Sequence, residues 1–260
     1  MRRPAFSPDG YAAMMAELRD GHGYTLLPVR EACETPGNRV LLLRHDVDLS
    51  LDLAIWMAER EHAMGIRATY MVLPFNDFYN PLSPAGRAQV RAIHALGHEI
   101  GLHWDSTLYP QDAEQLARSF CRDVDLLQDI IGEPVLSASQ HIPIDSPLID
   151  VERLVRYETS SRTVRERFAY VSDSAMAWRG YTPLDLAPNG KPIHFCAHPI
   201  WWFAKGETRA EKFATLSTLS TGALDRRIGD FHAYVQRCLE EREALDRRYA
   251  ERLATSAAGN

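Results

Sequence analysis

Short apolar runs alternate with amphipathic stretches along most of this chain, and that alternation limits its possible folds more than any other feature. Val40–Arg44, Arg67–Leu73, His98–His103, Val135–Gln140, Phe168–Ser172 and Ile193–Ala197 have strand length and are too short for helices. Helical patterns with readable ends lie between them. Ser50 caps a helix to about Ala63 that stops at Gly65. Ser83-Pro84 opens another that stops at Gly97, and Asp112 opens a longer one to Ile131 with Gly132 behind it. Pro147–Arg156 also reads as helical, and the charged segment after Glu207 as helical to about Leu253. Strands alternating with helices predict an α/β fold with a largely parallel sheet, open or closed into a barrel. In both architectures active sites lie beyond the carboxyl ends of the strands.

Those ends carry the reactive residues. Asp46 and Asp48 follow the first run, His103 and Asp105 end the third, His141 the fourth, and Asp173 and His198 the last two. Five ends furnished in this way predict one shared rim. Asp46 and Asp48 have the same parity and project together. Two like charges so close raise one pKa unless a cation separates them, so the spacing predicts a metal site with one carboxylate as ligand and the other as base. Capping is the competing reading, worth roughly 0.3–1 kcal/mol, but Ser50 already fills that position. His103 and Asp105 also face together, as half of a divalent-metal site with N and O donors. Glu99 shares their parity but lies about 13 Å from His103 at ~3.3 Å per residue, and reads as structural.

His198 precedes Pro199, which holds it extended at the mouth of the sheet. A histidine there suits general-acid work. Asp173 reads either as a group orienting His198 or a substrate hydroxyl, or as a turn residue. Trp201 and Trp202 read as sugar-stacking or core residues, and Trp178 pairs in sequence with Asp173. Tyr79 belongs to an aromatic loop, Phe75–Asn80, that reads as a specificity loop or as packing.

The 260 residues, 45% apolar and 25% charged, suit a globular protein. No Gly-, Pro- or Ser-rich linker divides them, so the expectation is one domain over 1–260, with a core at 38–203 and a helical extension at 207–255. A net charge of −6 speaks against a nucleic-acid or anionic-membrane surface. Cys33, Cys121, Cys196 and Cys238 contain no CxxC pair and are expected as free buried thiols. No run approaches the ~18 apolar residues of a membrane span, and Met1–Asp9 lacks an apolar signal core, so a cytoplasmic enzyme is expected. The signatures GxSxG, GxGxxG and the Walker loop are absent.

Over residues 38–203 the ordered motifs resemble the polysaccharide deacetylase family, also called NodB-homology or carbohydrate esterase family 4. Asp46-Val47-Asp48 is similar to its Asp-x-Asp motif, and Gly97–His103 to its Gly-His-Glu-Ile-Gly-x-His motif. His141-Ile142-Pro143 stands where the family has Arg-x-Pro. Asp173 with Trp178, and then His198, complete the series. The resemblance implies a distorted (β/α)7 barrel. It also implies a hydrolase that removes an N-acyl group, in the first instance N-acetyl, from an amino sugar, which the missing signal core points to being small or carrier-linked. Asp46 is then the base, His198 the acid, and Asp48 and His103 ligands of a divalent ion such as Zn²⁺. Two positions depart from the pattern. Thr107 stands where a second metal histidine is usual, which makes Asp105 the substitute ligand. His141 replaces the arginine that pairs with the base, leaving Arg44 or Arg162 to supply that charge. Arg44, Tyr79, His141, Asp173, Trp178 and Trp201 are the expected substrate-side residues. The alternatives are a metal-independent amidohydrolase of the allantoinase-like branch and a non-catalytic sugar-binding protein.

Overall fold

A computed structural model describes residues 3–141 and 149–258. The first part of the chain forms α1 (Pro8–Ala16), β1 (Thr25–Leu27), α2 (Val29–Glu34), β2 (Val40–Val47), α3 (Leu51–Ala63), β3 (Thr69–Val72), α4 (Pro84–Ala95), β4 (Glu99–Asp105) and α5 (Ala113–Ile131). There follow β5 (Ser137–His141), β6 (Tyr157–Glu158), α6 (Arg162–Arg167), β7 (Ala169–Ser172), α7 (Pro183–Leu186), β8 (Ile193–Ala197), α8 (Pro199–Phe203) and α9 (Arg209–Ala258).

The expected helix ends form as their chemistry dictates. Ser50 and Ser83 accept through their hydroxyls from Leu53 N and Gly86 N, and Asp112 accepts from Gln115 N. Gly132 closes α5 in the left-handed region, at φ 76°. Pro147–Arg156 differs from its expected helix. Residues 149–156 form a turn, where the Asp150 carboxylate accepts from Glu152 N and so competes with helical bonding. Residues 147–148 lie outside the described residues, as do Ile142 and Pro143.

The sheet is all parallel, in the order β6-β5-β4-β3-β2-β8-β7. β8 lies along Leu41–His45 of β2. On the other edge β1 takes Val40–Leu42 and β3 takes Arg44–Val47. These flanking ladders carry β2 through Arg44, His45 and Asp46, so Asp46 lies inside the strand rather than just past it. The sheet curls strongly. β2 and β5 are three strands apart in the order, roughly 14 Å on a flat sheet, yet Arg44 on β2 hydrogen-bonds Ser139 on β5 and Thr159 just after β6. Seven strands along this path, with β1 an eighth beside β2, form a curled half-barrel with helices, consistent with the expected distorted (β/α)7 barrel. Gly101 permits close packing beneath the rim, since a Cβ there would stand 2.5 Å from Met71 Sδ and 2.7 Å from Ser137 Oγ.

The chain forms two compact units, 1–216 and 217–260. The first unit reaches back past residue 38. Tyr11, Met14, Met15 and Leu18 are buried, and β1 joins the sheet. The second unit is helical, with Leu224, Ile228, Phe231 and Tyr234 exposed. Among the described residues no helix is long and apolar enough to cross a membrane. Cys33, Cys121 and Cys196 are free as expected, but only Cys196 is buried. Cys121 lies on an outward face of α5, which overturns the expectation of burial there, and Cys33 is half-buried.

Candidate active site at the carboxyl rim of the sheet

Strand parity brings Asp46 into the barrel interior, where burial alone would push its carboxyl up. The Arg44 guanidinium, with Nη2 3.3 Å from Asp46 Oδ2, outweighs burial together with His103 and His198 and holds the carboxyl well below the usual range. The Cys196 thiol also donates to Asp46 Oδ2, at 3.2 Å. Arg44 is itself fixed by Ser139 Oγ and Thr159 Oγ1. Arg44 is therefore buried and engaged by Asp46, Ser139 and Thr159. Arg162 pairs with Glu166 at 2.6 Å on the surface.

The His103 Nδ1–H donates to the Ser139 carbonyl at 2.7 Å, so in the neutral ring Nε2 carries the lone pair. That Nε2 stands 3.3 Å from Asp48 Oδ1 and 3.7 Å from Asp46 Oδ2. His103 Nε2 and Asp48 Oδ1 are buried and have no hydrogen-bond partner. Burial lowers the His103 pKa, but Asp46 and Asp48 outweigh it and raise it. Asn76 Nδ2 pins the Asp48 carbonyl at 2.7 Å.

Ligand atoms about 2.0–2.2 Å from a shared ion stand roughly 3.4 Å apart in a tetrahedron, and the 3.3 Å between His103 and Asp48 matches that spacing. Buried, unpartnered donors at that spacing fit a divalent ion. One ligand atom each of Asp48, His103 and His141 lie within 4.8 Å of one another. Asp105 is not in that group. Its Oδ1 accepts from Thr107 N at 2.9 Å and from Thr107 Oγ1 at 2.7 Å, and its Oδ2 lies 3.5 Å from His141 Nδ1.

His198 is set from behind. Its Nδ1 lies 2.5 Å from Asp173 Oδ1, and its backbone N–H donates to Asp173 Oδ2 at 3.1 Å. Trp202 Nε1–H donates to the same Oδ2 at 2.6 Å. Burial lowers the His198 pKa, but Asp173 and then Asp48 and Asp46 outweigh it and bring it to about 9. His198 Nε2 lies 3.7 Å from Asp48 Oδ2. Asp46, Asp48, Ser50 and His198 line a small cleft. Its more open side is at Asp48 and His198, whose side chains are 24% and 14% exposed against 8% for Asp46.

The remaining expected substrate residues sit further back. Tyr79 donates to Val47 O at 2.6 Å and accepts from Leu73 N at 3.0 Å, tying together the ends of β2 and β3. Trp178 is buried against Phe6, Phe195 and Trp202, and Trp201 against Phe213. The structure adds Asn76, Ser139 and Cys196, and gives Trp202, a sugar-stacking or core candidate from sequence, a bond to Asp173. Parity would have flagged two of these, since Ser139 and Cys196 stand two residues before His141 and His198. Trp202 had no such signal, because its bond to Asp173 crosses from α8 to the end of β7.

No family model matches the sequence and no curated protein matches it. Three solved structures illustrate the likeness. IcaB from Ammonifex degensii is 20% identical, with 52% of this chain and 66% of that one covered, just under two thirds, and a TM-score of 0.38. The polysaccharide deacetylase Bc1974 from Bacillus cereus is 15% identical, with 71% and 88% covered and a TM-score of 0.39. A family 4 acetyl xylan esterase from Clostridium thermocellum, in complex with a cobalt ion, is 14% identical, with 70% and 84% covered and a TM-score of 0.40. Among solved structures, then, this chain is similar to a polysaccharide deacetylase and to a family 4 carbohydrate esterase.

Proposed function

We propose that the chain hydrolyses an N-acyl amide, in the first instance an N-acetyl amino sugar, with the help of a divalent ion such as zinc. One observation carries this reading. A carboxylate paired with arginine, Asp46, and an imidazole paired with aspartate, His198, line one cleft with Asp48, whose Oδ1 stands 3.3 Å from His103 Nε2, and neither of those two atoms has a hydrogen-bond partner. Two titratable groups whose partners drive them to opposite charge states supply a base and an acid at the same pH.

Asp48 and His103 would hold the ion. When bound, it supplies Lewis acidity at the acyl carbonyl and lowers the pKa of a water. Asp46 takes a proton from the attacking water as the C–O bond forms. His198 gives its proton to the amide nitrogen as the C–N bond breaks, because an amine leaves poorly unless protonated. The products are a carboxylate and a free amine. Asp173 and Trp202 hold the His198 ring in place, and Arg44 keeps Asp46 ionised. The ordered motifs at Asp46–Asp48, Gly97–His103 and His198 support a sugar substrate.

Acetate release from N-acetylglucosamine oligomers, with and without a chelator, tests the reading. Expected are turnover that chelation abolishes and zinc restores, and a His198→Ala variant that loses far more on the amide than on an acetyl ester. An ester leaving group needs less protonation. Turnover indifferent to chelator would favour the metal-independent alternative, and stabilisation by the sugar without acetate release the binding-protein alternative.

A further inference from the structure

We propose that His141, not Asp105, completes the metal centre with Asp48 and His103, and that Asp105 is the positioning residue that holds the His141 ring. The inference rests on the metal-dependent reading above. It begins with the β4–β5 ladder, where His103 is paired with Ser139 and Asp105 with His141. Residues of equal parity on adjacent parallel strands present side chains to the same face. His141 therefore rises one step above His103 on the neighbouring strand, and the two rings meet edge to face at 5.3 Å. With Asp48 they form a three-donor group within 4.8 Å.

Asp105 is already committed. One of its oxygens is taken twice by Thr107, through N and Oγ1, leaving only Oδ2, which lies 3.5 Å from His141 Nδ1. A carboxylate that orients a ligating imidazole is the usual second layer of a histidine metal site. Here Thr107 sets Asp105, and Asp105 Oδ2 lies 3.5 Å from a buried His141 Nδ1 that has no other partner, so a small ring rotation lets Asp105 hold His141 and the position that departs from the resembled pattern serves the metal at one remove. Donor chemistry follows from the choice. Two imidazoles and one carboxylate suit Zn²⁺ or Co²⁺, whereas one imidazole and two carboxylates would shift preference towards harder ions.

Titration of the full chain with Co²⁺ and Zn²⁺, read by bound equivalents and by the Co²⁺ visible spectrum, tests the assignment without any substrate. Wild type is expected to bind one equivalent with the intense bands of a low-coordinate ion. His141→Ala should weaken binding at least ~100-fold, and His103→Ala is expected to do the same. Asp105→Ala should keep one equivalent at ~10–100-fold weaker affinity, with Thr107→Val smaller in the same direction. Metal-free melting temperatures, and the milder His141→Asn, separate lost ligation from lost folding. The inference is overturned if Asp105→Ala abolishes binding while His141→Ala keeps a full equivalent, or if His141→Ala binds as wild type does. Either result leaves the metal-dependent reading standing. A wild type that binds neither ion removes both.

Discussion

Two buried histidine–carboxylate clusters lie on opposite faces of β2, and they differ in what is left unpaired. The outer one centres on Glu61 of α3. Its two oxygens accept from Tyr11, from His45 at 2.8 Å and from Tyr70 at 2.7 Å, and His98 stands 3.8 Å away. The inner one, at the rim, leaves Asp46 Oδ1, Asp48 Oδ1 and His103 Nε2 without partners. The chemistry of the side chains is the same in both. Glu61 has spent its hydrogen-bonding capacity on the fold and that cluster leaves His45 Nδ1 over, whereas the rim leaves three such atoms, two of them carboxylate oxygens, next to a cleft. A buried polar atom without a partner costs about 1–3 kcal/mol, and the rim concentrates several in one place.

The contrast predicts separate consequences. The largest should come from His198→Ala, with turnover falling ~10²–10⁴-fold and the melting temperature nearly unchanged, since Asp173 keeps its bonds to His198 N and Trp202. Steady-state kinetics beside a melting curve checks it, and a large loss of stability would blur the contrast. Glu61→Ala should do the reverse, costing about 3–5 kcal/mol of unfolding free energy with turnover per folded molecule preserved.

The Glu61 contribution also has a pH signature. Burial pushes its carboxyl up, but His45, His98 and Tyr11 outweigh burial and leave it below its ordinary value. A depressed carboxyl stabilises the fold above its unfolded pKa, ~4.3, and loses that contribution as pH falls through the folded value. Denaturant unfolding at pH 7 and in acid should therefore show the gap between wild type and Glu61→Ala closing in acid.

Glu158 is a carboxylate with no histidine. Burial pushes it up to about 7, with Arg44 only partly opposing. Its charge is therefore penalised in the fold, and the penalty grows as pH rises from ~4.3 through 7. Glu158→Gln should stabilise by roughly 1–3 kcal/mol at pH 8 and much less at pH 5, as read from unfolding curves. The smallest effect belongs to Trp202→Phe. Losing one hydrogen bond to Asp173, worth about 1.5–3 kcal/mol gross to a charged group, should reduce kcat ~10-fold or less with little change in KM.

Strand and helix limits in the middle of the chain were legible because their signals are local. Ser50, Ser83, Asp112 and Gly132 act within four residues of themselves. So were Asp46, Asp48, His103 and His198 as one group, since parity along a parallel strand and the carboxyl-end rule need only the order of residues. The N-terminal elements were not legible in this way. α1 buries Tyr11, whose hydroxyl bonds Glu61 fifty residues on.

Sequence by itself determined that this chain makes a parallel α/β sheet, which face of each strand carries charge, and at which end the charge collects. Tertiary structure alone decided the partners. It chose Arg44 over Arg162 for Asp46, set Trp202 behind Asp173, and turned Asp105 towards Thr107 and His141. Periodicity reports direction along one strand, whereas these choices depend on how far the sheet curls, and so on which side chains from strands distant in sequence meet inside it.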